Sequence, residues 1–166
     1  MDGYQEFALG MALMRLEEEV NALRQLVFSL PSNLPTKELE KLLKRGLILL
    51  QISSDILSSL NNQNEEISFL RDINFGVFEA LFITQTLLEK VENQLPIFLD
   101  HLTVFEEPVL EKLNQVITTL HSAIENQNDK QIKDIDYTEL AYILQDIAKT
   151  LDAIIYQSTN LKKKVL

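Results

Sequence analysis

Cysteine is missing from all 166 residues. That excludes a disulfide framework, thiolate catalysis and a thiolate-bound metal, and it fits a reducing, cytoplasmic setting. Glycine and proline number only four each, too few for a turn-rich β fold. An apolar content of 46% is too high for a disordered chain. Long apolar runs are also missing. The most apolar window, Ile73 to Leu88, is interrupted by Glu79 and several polar groups, and it falls short of the ~20 residues needed to span a bilayer. The opening Met1-Asp2-Gly3-Tyr4-Gln5-Glu6 sets no basic stretch before an apolar core, so no signal peptide is expected there.

Positive charge is scarce as well. The formal net charge is −10, and such a chain repels nucleic acid unless a basic patch overrides the average. One stretch is net positive: over residues 36–60, Lys37, Lys41, Lys44 and Arg45 outnumber Glu38, Glu40 and Asp55. Lys41, Lys44 and Arg45 lie three and four apart and share a helix face. No aromatic residue interleaves with them, which disfavours nucleic acid and leaves an acidic protein partner. The simpler expectation is that they balance Glu17, Glu18 and Glu19 on a neighbouring helix.

Signatures of catalysis are absent too. Phe98 and Thr118 stand three residues before His101 and His121, so neither histidine has the Glu-x-x-His spacing of a di-iron bundle. There is no phosphate-cradling glycine loop, nucleophile–base pair or oxyanion motif. Glu17-Glu18-Glu19 is similar to the carboxylates of all-α pyrophosphohydrolases of the MazG type, which would imply a metal-dependent nucleotide hydrolase. Glu38, Glu40 and Asp55 do not supply a matching pair, and consecutive helical residues diverge by about 100°. A solvated acidic face is expected there, with no cofactor, no metal and no enzyme activity.

What the chain does contain is helical periodicity. Leu9, Leu13, Leu16, Val20, Leu23, Val27 and Leu30 alternate spacings of four and three, which lays one apolar seam along a helix. Leu140, Leu144, Ile147, Leu151, Ile154, Ser158, Leu161 and Val165 do the same. The pattern predicts about five helices. The first covers Asp2 to Ser29 and stops before Pro31. The second begins at Thr36, read as its N-cap, with a stripe of Leu39, Leu43, Gly46, Leu50, Ser53, Leu57 and Leu60. The third is the longest, from Glu65 to Leu95 with a kink at Pro96. The fourth runs from Glu106 or Glu107 to Asn126, with Pro108 in its first turn. Glu125 to Asp136 reads mostly as loop, and the fifth helix starts near Asp136 and Tyr137, with Glu139 completing a capping pattern. The expected fold is all-α: a single domain over residues 1–166, an antiparallel up-and-down helical bundle with a long central third helix.

The third helix is apolar on more sides than one seam needs. Its stripe of Ile67, Leu70, Asn74, Val77, Leu81, Thr84, Leu88, Val91 and Leu95 is joined by Phe69, Ile73, Phe75, Phe78, Phe82, Ile83 and Leu87. Six of the eight phenylalanines lie between Phe69 and Phe105. Phe75, Phe78 and Phe82 follow helical spacing and share one side. Either they fill a core, or they form an exposed groove or dimer face, or they line a pocket for a small apolar ligand or lipid. Asn74 is a costly residue to bury without a partner, and Gly46 and Gly76 inside helices point to close helix–helix approach. In size, acidity and helicity the chain resembles small acidic export chaperones such as those of flagellar secretion. That resemblance implies a surface that receives a partner helix. The function expected is a non-catalytic interaction module (adaptor, chaperone or regulator) that binds a protein partner or a second copy through Phe69, Phe75, Phe78 and Phe82, with Lys41, Lys44 and Arg45 as a basic accessory.

Overall fold

The computed structural model describes residues 3–31, 34–60, 65–94, 109–125 and 129–165. Among these there are six α-helices and no strand: α1 Gly3–Phe28, α2 Thr36–Ser58, α3 Ile67–Gln94, α4 Val109–Glu125, α5 Asp129–Asp134 and α6 Tyr137–Val165. They pack as an all-α bundle on one apolar core. The expected kink at Pro96, with His101, Phe98, Phe105 and Pro108, lies outside the described residues.

The seams go where their spacing sends them. On α1, Leu9, Leu16, Val20, Leu23 and Val27 are buried. On α2 the whole stripe from Leu39 to Leu60 is buried, together with Leu42, Leu49, Ile52 and Ile56. On α6, Leu140, Leu144, Ile147 and Leu151 are buried, but Ile155 takes the next buried place instead of Ile154. A straight helix drifts against a strict seven-residue repeat, so the seam slips by a residue after two heptads.

The connections hold two differences from expectation. Thr36 is the first helical residue, not the cap. Pro35 occupies the cap position, and its carbonyl accepts from the amides of Glu38 at 3.0 Å and Leu39 at 3.2 Å. Proline needs no amide partner there, which suits the position. The stretch expected to be loop contains α5. Its six residues could not hold a helix alone. Ile132 is buried against the core, and Arg71 on α3 pairs with Asp129. Asp136 does cap α6, its carboxylate accepting from the Glu139 amide at 3.0 Å.

α3 touches α1, α2, α4 and α5, and α2 makes its most extensive contact with α6. The glycine of α2 and the glycine inside α3 sit at crossings. A Cβ at Gly76 would lie 2.6 Å from Leu13 Cδ1, and one at Gly46 would lie 3.2 Å from Leu87 Cδ2. Lys90 of α3 donates to the Val27 carbonyl at 2.8 Å and lies 6.0 Å from the centre of the Phe28 ring. α1 has no basic residue in its last turn, so a neighbouring helix supplies the cation that its carbonyl end favours.

Candidate functional site

The phenylalanines of α3 divide between two environments. Phe69 and Phe78 are half-buried and pack against the core. Phe75 is 53% exposed and Phe82 49% exposed. Phe78 joins the helices: its ring stacks on His121 of α4 with centroids 5.1 Å apart, and lies 6.1 Å from the Phe82 ring. One turn further along, Gln85 Nε2 donates to Asn114 Oδ1 at 3.3 Å. Phe78 therefore anchors the α3–α4 seam, while Phe75 and Phe82 stand beside it in solvent.

The basic residues are not brought to this surface. Lys41, Lys44 and Arg45 are exposed on α2. The face of α2 that meets α3 holds Gly46, opposite Thr84 and Leu87. Thr84 follows Phe82 by two residues, about 200° of helical turn, so Phe82 lies on the far side of α3 from α2. The expected balance against Glu17, Glu18 and Glu19 is not formed. Lys41 instead pairs with Glu38 on its own helix at 3.6 Å, because two residues three apart meet without any tertiary register. His121 lies 3.7 Å from Glu125 on the surface of α4. Among the described residues, no group of three or more histidines and acids is placed to hold a metal ion.

The buried polar residue of the third stripe has its partner. Asn74 Nδ2 donates to the Leu70 carbonyl at 2.7 Å and to the Tyr137 hydroxyl at 2.6 Å. That hydroxyl donates in turn to the Ile132 carbonyl at 3.2 Å. The chain of bonds ties α3 to the end of α5 and the start of α6. Burial pushes the Tyr137 phenol above its usual value, and the Asn74 bond opposes this in part. Thr84 returns its hydroxyl to the Ala80 carbonyl at 2.7 Å, and Ser54 reaches across to the Ala141 carbonyl at 3.1 Å.

A second exposed apolar set lies on α1 and was missed in the seam pattern. Phe7, Met11 and Met14 are all exposed, at spacings of four and three. Their own heptad spacing was the available signal; it was hidden because the stripe of Leu9 to Leu30 accounts for the helix by itself.

Two clefts lined by described residues are open and mixed in polarity. One lies between α2 and α6, around Gln51, Asp55, Lys149 and Asp152. The other lies between α4 and α6, around Gln115, Glu139 and Ile143. No helix among the described residues is long and apolar enough to cross a membrane.

Among the described residues, six helices on one core, with aromatic rings left outside it, define an all-α bundle with apolar side chains at its surface. A family model described as "Uncharacterized protein" matches residues 9–166, and the chain belongs to that family. Nothing matches among the curated proteins or among the solved structures.

Proposed function

We propose that this chain is a non-catalytic interaction module, an adaptor, chaperone or regulator, which receives a partner's amphipathic helix or a second copy on the phenylalanine face of α3. One observation carries the reading. Phe75 and Phe82, two turns apart, keep about half of their surface in water although α3 already fills its core side with Leu70, Ile73, Val77 and Leu81. Large rings held open at helical spacing match the anchors of helix-in-groove recognition. Phe78, fixed by His121, gives the pair a rigid backing. The lack of cysteine suits a cytoplasmic setting for such a module.

The test uses sedimentation equilibrium and titration with amphipathic helical peptides, comparing the natural chain with a Phe75→Asp/Phe82→Asp variant. Both sites are exposed, so the variant is expected to melt within a few degrees of the natural chain. Self-association or peptide binding should fall by about tenfold or more. A natural chain that is monomeric and binds no peptide, or a variant that binds equally well, overturns the reading.

A further inference from the structure

Nothing among the described residues accounts for a glycine at position 10. Glycine is disfavoured inside a helix relative to alanine. At Gly46 and Gly76 a side chain would meet Leu87 or Leu13, whereas a Cβ at Gly10 would meet nothing within 4 Å. Its surroundings on α1 are exposed apolar side chains: Phe7 at 68%, Met11 at 52% and Met14 at 56%. They lie on the opposite side of the helix from the buried Leu9, Leu16 and Val20. Positions 7, 10, 11 and 14 relate as i, i+3, i+4 and i+7. In knobs-into-holes packing these four positions frame the hole that takes a side chain from a facing helix. Glycine at one of the four leaves the hole deep, and two methionines let it adapt to different knobs.

Charge identifies the occupant. Glu6, Glu17 and Glu18 border the stripe and are exposed. None of the ion pairs among the described residues engages them. Among the described residues of α1 the cations are Arg15 and Arg24, and Arg24 is held by Glu79 at 3.0 Å. A second copy would bring glutamates against glutamates within two chains of net charge −10. We propose that the outward notch of α1, framed by Phe7, Gly10, Met11 and Met14, receives an amphipathic helix of another protein whose apolar knobs are flanked by lysine or arginine. This surface uses none of the residues of the α3 face and stands independently of it.

The test is calorimetric titration of the full chain with a model helix of leucine at heptad positions and lysine elsewhere. The control is the same helix with glutamate in place of lysine. The lysine helix is expected to bind at least about tenfold tighter than the glutamate helix. Gly10→Leu fills the notch and Met11→Ala removes its rim, and neither changes the charge. Each should weaken the lysine helix by about tenfold or more. Gly10→Ala should melt no lower than the natural chain, which shows that the position is not needed for folding. Undiminished binding by Phe75→Asp/Phe82→Asp supports the α1 site and separates it from the α3 face. Equal binding by Gly10→Leu assigns the affinity to charge alone and overturns the proposal. Equal binding of the two helices, no binding at all, or a concentration-dependent dimer that Gly10→Leu abolishes overturns it as well.

Discussion

Tyr137 carries more of the fold than its type suggests. Its ring is buried and its hydroxyl is both acceptor and donor between Asn74 and Ile132. Tyr137→Phe removes both bonds and leaves Asn74 Nδ2 with the Leu70 carbonyl as its remaining acceptor, so a loss of about 1–3 kcal/mol is expected. The sign of the pH dependence follows from the raised phenol. The folded state holds this proton more tightly than the unfolded chain does, whose phenol titrates near the usual 10.0. The stability that the neutral phenol gives is complete below about pH 10 and is lost as pH rises toward the folded value. Urea unfolding at pH 8 and above pH 10 should show the natural chain losing more stability than Tyr137→Phe. Parallel losses in the two would contradict the burial argument. Asn74 was legible as a polar residue in an apolar stripe. Its partner was not, because Tyr137 lies 63 positions away and no local spacing pairs them. Thr84 needed no partner beyond its own helix, so its role was readable from the sequence.

At the scale of the element, the long helices were legible and the short one was not. α1, α2, α3 and α6 each repeat their apolar period over several turns, and repetition fixes a face. α5 has six residues, fewer than two turns, so it has no period to read. Tertiary contact makes it helical. Ile132→Ala is expected to cost about 2–4 kcal/mol, with α5 losing amide protection ahead of the other helices in hydrogen exchange. Retained protection at 129–134 would mean that Arg71 and Asp129 suffice to hold it. The same contrast explains why the outward stripe of α1 escaped notice: one helix carried two seams, and the longer one explained it.

Over the whole molecule, stability is concentrated where distant segments meet. α2 and α6 share the largest contact, and Ser54 reaches the Ala141 carbonyl 87 positions away. Amides of α2 and of the first half of α6 are expected to exchange last, close to the global unfolding free energy. Mass-spectrometric exchange showing α1 and α3 as the slowest pair would contradict this. The all-α architecture followed from composition and period alone. The choice between a buried and an exposed phenylalanine face did not, because a period gives the sides of a helix but not which neighbours cover them. Phe78 and Phe82 are four residues apart, yet one is stacked under His121 and the other is open.

The α2–α6 contact also sets an order of events during synthesis. α2 is complete at Ser58 and α6 begins at Tyr137, so a ribosome emits roughly eighty residues between them. At about 5–20 residues per second the part of α2 that faces α6 waits roughly 4–16 s for its cover. Over that interval the growing chain offers a sticky helix to anything nearby, and its own later segment has to compete for it.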